Sequence, residues 1–139
     1  MFSANVLQPF GTIDKLLIND FSVPSILWGI DEDWMVNYIP EDTPFDPTHH
    51  CGVLRVKDND ILPRYLSKAL ESEGAEIKFS KNYRTSIERV KNLSIPVPSV
   101  DEQKNVIVQI KPLEDAISKL YVDLEEVEAR RKTILGKYL

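Results

Sequence analysis

The sequence predicts an α+β protein, with a small antiparallel-rich domain over residues 1–98 followed by a long C-terminal coiled-coil helix over 99–139. Three observations lead there. The first half alternates short β-branched and aromatic runs with turns rich in proline and acid. The stretch LSIPVPSVDEQ (93–103) passes from an alternating apolar pattern straight into a helix-start signal. Beyond it, apolar residues recur at alternating spacings of four and three almost to the end of the chain.

In order, FSVPSILWG (21–29) and WMVNYI (34–39) read as strands, separated by the acidic turn IDED (30–33). PEDTPFDP (40–47) holds three prolines in eight residues and reads as a loop. CGVLRVK (51–57) resumes strand character and DND (58–60) closes it. In ILPRYLSKALESEG (61–74), Pro63 suits a first helical turn, and Leu62, Tyr65, Leu66, Ala69 and Leu70 share one helical face. Gly74 is expected to supply a left-handed C-terminal cap. EIKF (76–79) is a candidate strand, SKNYRT (80–85) a polar loop, and SIERVKNL (86–93) one or two helical turns. LSIPV (93–97) alternates Leu93, Ile95 and Val97 on one side, and Pro96, which donates no ladder bond, assigns it to a sheet edge.

Pro98 stops that strand, and Ser99 followed three positions later by Glu102 forms a capping box. Asp101 and Glu102 sit well at the positive end of the helix dipole. The seam then runs through Val106, Ile110, Leu113, Ile117, Leu120, Leu124, Val127, Arg131, Ile134 and Tyr138. A seam this narrow favours a second helix over packing on the chain's own domain. Pro112 is expected to kink or break the helix near Ile110. Acids concentrate early (Glu114, Asp115, Asp123, Glu125, Glu126, Glu128) and bases late (Arg130, Arg131, Lys132, Lys137), so an antiparallel mate brings opposite charges together. Arg131, the one polar seam position, reads either as a register device or as a side chain that snorkels past the partner's edge.

Composition sets the bounds. With 139 residues, 42% hydrophobic and 28% charged, the chain has room for one core and an appendage, and nothing points to disorder. No apolar run approaches the roughly 20 residues of a membrane span, no secretory signal opens the chain, and the single Cys51 has no disulfide mate; a cytoplasmic protein without membrane contact is expected. The net charge of −5 argues against generic nucleic-acid binding. That average conceals an asymmetry: residues 1–50 carry eight acids and one base (Lys15), whereas residues 51–100 carry nine bases and six acids.

Catalytic constellations do not emerge. Phosphate loop, dinucleotide fingerprint and nucleophile elbow are all missing, so neither catalysis nor a cofactor is expected. In THHC (48–51), His49, His50 and Cys51 are adjacent ligand types without a second cluster, and read as a turn entering a strand. The acids Asp31, Glu32, Asp33, Glu41 and Asp42 fit no calcium loop. Phe21, Trp28, Trp34 and Phe45 are assigned to the core in preference to a base-stacking surface.

LSIPVPSVDEQKNVIVQI, followed by LEDAISKL and EARRKTILGKYL, resembles the end of a target-recognition half in the specificity subunit of type I restriction-modification enzymes. The resemblance is carried by Ile95, Pro96, Pro98, Glu102, Gln103, Ile107, Val108 and the seam. GVLRVKDNDILPRYLSKAL is similar to that family's approach to its small helix. The likeness covers roughly residues 50–139.

It implies a DNA-specificity module without catalysis, built as one half of a tandem subunit and shortened at its N-terminus. The implied partners are double-stranded DNA, the methylation subunit and, through it, the restriction subunit, with a second copy pairing antiparallel through the spacer helix. In that light the basic stretch Lys78, Lys81, Asn82, Tyr83, Arg84, Thr85 and Arg89, continued by Lys91, is the candidate DNA surface. Its Lys and Arg would hold phosphates while Asn82 and Arg84 read base edges. On the residues alone, a solvated loop with a polar helix face stays open. Arg55 and Lys57 are secondary candidates. The rival from another class is a helix-mediated assembly protein that has lost DNA reading, suggested by the acidic first third.

Overall fold

The computed structural model describes residues 2, 20–30, 33–48, 50–80 and 83–139. Among them lie three strands, β1 (Ser25–Gly29), β2 (Val36–Ile39) and β3 (Cys51–Leu54), and three helices, α1 (Pro63–Ile77), α2 (Ile87–Lys91) and α3 (Val100–Gly136). The chain forms two compact units, Met1–Gln103 and Lys104–Leu139. The α+β reading holds.

In the first unit, β1 is the central strand of an antiparallel sheet ordered β2-β1-β3. Ile26 pairs with Tyr38 on one side and Leu54 on the other, and Leu27 with Asn37 and Val53. Successive side chains of a strand point to opposite faces. Leu27 therefore joins Ile39 and Phe45 on one face, whereas Ile26 and Trp28 join Leu70 of α1 and Val90 of α2 on the other. Covered on both sides, β1 is buried along its whole length. Phe21 meets Phe45 edge-on at 5.7 Å, and Trp28 and Phe45 are buried, in keeping with their core assignment.

Four local expectations are corrected. Gly74 does not cap α1 but lies inside it, buried, and a Cβ there would fall 2.1 Å from Cε2 of Trp34. The glycine is needed for close approach of the indole, whose Nε1 donates to the Glu71 carbonyl at 2.9 Å. The helix consequently runs on to Ile77, and Lys78 takes the left-handed cap at φ 65°, so residues 76–79 are not a strand. Nor is 93–97: the segment makes no sheet pairing, and Leu93 and Ile95 dock as side chains on the cluster of Ile26, Trp28 and Leu70. Both edges of β1 are already taken, and Pro96 and Pro98 have no N–H to offer; the Pro96 carbonyl instead accepts from Tyr65 Oη at 2.7 Å. Finally, the break allowed for at Pro112 does not occur: α3 continues through it. The carbonyl deprived of its donor is that of Val108, a residue 68% exposed, where water can serve instead.

Gly74→Ala tests the first correction. Helix propensity alone favours alanine by about 1 kcal/mol. Overpacking against a hydrogen-bonded indole costs roughly 1–3 kcal/mol, so a net loss near 1 kcal/mol and a red-shifted tryptophan emission are expected in thermal melts followed by fluorescence. A gain in melting temperature would show that the indole yields freely.

Candidate nucleic-acid interface

The basic stretch is assembled from the end of α1 to α2. Phe79, directly after the left-handed Lys78, is buried and tilts against Trp34 at 5.2 Å between ring centroids. Tyr83 stacks on Phe79 at 5.6 Å and 23°. The Arg89 guanidinium lies over the Tyr83 ring, 4.5 Å from its centroid, and its Nη1 donates to the Arg84 carbonyl. Ser80 and Tyr83 are bonded to each other, Ser80 N donating to the Tyr83 carbonyl at 3.0 Å and Tyr83 N to Ser80 Oγ at 3.2 Å. The result is a ladder from the α1 surface to the loop, through Trp34, Phe79, Tyr83 and Arg89. Each aromatic contact contributes about 0.5–1.5 kcal/mol, and an exposed cation–π pair about 0.5–1 kcal/mol.

Arg89 is held from behind as well. Ser86 caps α2 by accepting from Arg89 N at 3.1 Å, and Val90 is buried in the core. Of the sequence-predicted residues, Lys78, Tyr83, Arg84 and Arg89 are exposed. Lys81 and Asn82 lie outside the described residues. Thr85 is only 3% exposed and donates from Oγ1 to the Ser86 carbonyl, so its side chain supports the loop from inside instead of facing a ligand. Lys91 is exposed and pairs loosely with Glu88 at 3.8 Å. Arg55 is engaged in the domain, donating to Ser25 Oγ and the Asp20 carbonyl, while Lys57 is exposed.

The start of α3 is built as its sequence demands. Ser99 N and Oγ both donate to Glu102 Oε2 at 2.9 Å, and Glu102 N returns a bond to Ser99 Oγ at 3.3 Å. These bonds, the hydroxyl's foremost, hold the Glu102 carboxyl below the usual carboxylate range. The next residue does what no local pattern announced. Gln103 is fully buried; its Oε1 accepts from Leu62 N at 2.8 Å, and its Nε2 donates to the carbonyls of Asp60 at 2.8 Å and Pro98 at 2.9 Å. One carboxamide thus ties the entry to α1 to the entry to α3.

In the second unit, residues 104–136 make about 50 Å of helix. The seam residues Leu113, Ile117, Leu120, Leu124, Val127, Ile134 and Tyr138 are exposed, with Val106 and Ile110 partly covered. Arg131 pairs with Glu128 at 3.8 Å and Lys111 with Asp115 at 2.8 Å, both along the helix surface. Tyr121 and Leu135, exposed beside the seam, widen the apolar stripe.

Cys51 is half-buried, and burial pushes its thiol up. Among the described residues no group of His, Cys, Asp or Glu is arranged to hold a metal ion, and His49, Asp31 and Glu32 fall outside them. No described helix is long and apolar enough to cross a membrane.

Sheet, helices and seam place the chain among α+β domains that continue into a heptad-patterned helix. More particularly, the family model for the type I restriction modification DNA specificity domain matches residues 10–128, and the chain belongs to that family. DNA binding as a specificity component of a restriction system follows from membership. No curated protein and no solved structure matches the chain.

Proposed function

We propose that the chain is a non-catalytic half-subunit that sets the DNA sequence specificity of a type I restriction-modification system in the cytoplasm. Residues 1–98 read the target and residues 99–139 act as the spacer. The spacer helix pairs antiparallel with a second copy and docks the methylation subunit, through which the restriction subunit joins. The family match over residues 10–128 carries this reading. The uncovered seam of α3 supports the pairing, and the exposed Lys78, Tyr83 and Arg84 support a DNA surface on this loop.

On this reading phosphate contacts supply most of the affinity and a few base-edge contacts supply the choice of sequence. Anisotropy titration of a labelled duplex with the methylation subunit present, repeated across salt concentrations, is the test. Lys78→Ala combined with Arg84→Ala should weaken binding and reduce the slope of log K against log salt by roughly 1 for each phosphate contact removed. An unchanged slope would dismiss this loop as the DNA surface. Firm assembly with the methylation subunit, without salt-sensitive duplex binding, would instead make the chain an assembly protein.

A further inference from the structure

We infer that Arg89 is a positioning residue: its guanidinium, spread over Tyr83 and bonded to the Arg84 carbonyl, fixes the placement of Tyr83 and Arg84 instead of serving as a phosphate contact. The link to DNA rests on the function proposed above; the loop geometry does not.

Three observations carry it. Arg89 leaves α2 from a backbone fixed on both sides, by the Ser86 cap at its own N–H and by the buried Val90 beside it. Its planar head then meets two groups of the loop, an aromatic face and a backbone carbonyl. The ring it covers is itself seated on Phe79, which is seated on Trp34, which bonds α1 through the Glu71 carbonyl. An arginine anchored at its root and engaged at its head transmits the order of the core to the loop that carries Arg84. A lysine cannot replace it, because an ammonium has neither the flat face to lie on a ring nor the fork that serves a second acceptor at once.

That asymmetry separates the two roles. A phosphate contact orders nothing in the free chain and keeps its charge in Arg89→Lys, so that variant would then exchange like the parent and lose less affinity than Arg89→Ala. If Arg89 positions the loop, both variants lose about tenfold in duplex affinity. Tyr83→Phe keeps the ring that Phe79 and Arg89 hold, so its amide exchange stays at the parent's rate.

The test pairs that titration with amide hydrogen exchange on the free chain, read at Ser80 and Tyr83, with thermal midpoints as the folding control. Arg89→Lys should speed exchange at both amides by about tenfold while leaving the core amides protected. Parent-like exchange in Arg89→Lys, parent-like affinity there while Arg84→Ala loses affinity, or a Tyr83→Phe variant whose amides exchange as fast as those of Arg89→Ala, would overturn the assignment. Faster exchange in Arg89→Lys, with duplex binding indifferent to it and to Arg84→Ala alike, would uphold the loop role and defeat the DNA reading alone.

Discussion

Gln103→Met should lower the stability of the domain by about 3 kcal/mol or more, the largest loss expected from a single side chain. Methionine keeps the volume and the helix propensity, so neither a cavity nor a helix defect confuses the result. What disappears is the satisfaction of three backbone groups, the Leu62 N–H and the carbonyls of Asp60 and Pro98, each held at 2.8–2.9 Å. A buried polar group stripped of its partner costs roughly 1–3 kcal/mol. Against a total stability of about 5–15 kcal/mol, that is a large share. The melting midpoint should fall by upwards of about 10 °C. A midpoint within a few degrees of the parent would mean that water replaces the amide without penalty.

Gln103→Glu adds a pH signature. The new carboxylate can still accept from Leu62 N but presents charge to two carbonyls, and burial with repulsion raises its folded-state pKa above the unfolded value near 4.3. Below that unfolded value both states are protonated, and the carboxyl can donate to one carbonyl. As pH rises past it the unfolded chain ionises first, so the deficit relative to the parent grows and becomes complete above the raised folded value. Melts at acid and neutral pH should therefore differ far more for this variant than for Gln103→Met.

Gln103 also shows where the sequence ceased to be legible. The capping box at Ser99 and Glu102 was readable because all its partners lie within four residues. The strand segments were readable because alternation and turn residues are local too. Gln103 bonds across 41 and 43 residues of sequence, and no spacing rule reaches that far. The same limit explains Gly74, which reads as a cap until Trp34, forty residues away, is laid against it. Residues 93–97 do alternate, but alternation states only that one side is apolar, and here that side docks as side chains on the sheet's cluster of Ile26, Trp28 and Leu70 without strand pairing. In the loop, the charges of Lys78, Arg84 and Arg89 were plain. The ladder beneath them, with Phe79 and Trp34 as rungs, was not, because both aromatics are equally good core residues. Whether Pro112 breaks the helix could not be read for a further reason: that depends on whether the freed carbonyl can find water, and exposure is a tertiary property.

Leu120→Glu combined with Leu124→Glu should abolish self-association while leaving the domain's melting temperature unchanged. In the single chain these side chains are 66% and 55% exposed, so little native packing is removed. A surface substitution of this kind moves stability by no more than about 0.5 kcal/mol. In a pair related by a twofold axis each change occurs twice. Burying a leucine is worth about 1.5–3 kcal/mol, so four lost side chains remove upwards of about 6 kcal/mol, more than a ten-thousandfold change in the association constant. Sedimentation should show the parent as a dimer and the variant as a monomer at every accessible concentration. Orientation is tested separately by reversing the late bases, Arg130, Arg131 and Lys132, to glutamate. In an antiparallel pair this sets acid against the acidic early half and weakens association modestly, since exposed pairs are worth under about 1 kcal/mol each. Reversing Glu114 and Asp115 to lysine in the same chain should restore it. A parallel pair matches each residue with its own copy, so the second reversal would bring no recovery. A parent chain that stays monomeric at high concentration, with and without the methylation subunit, would leave the seam without a partner and remove the spacer role altogether.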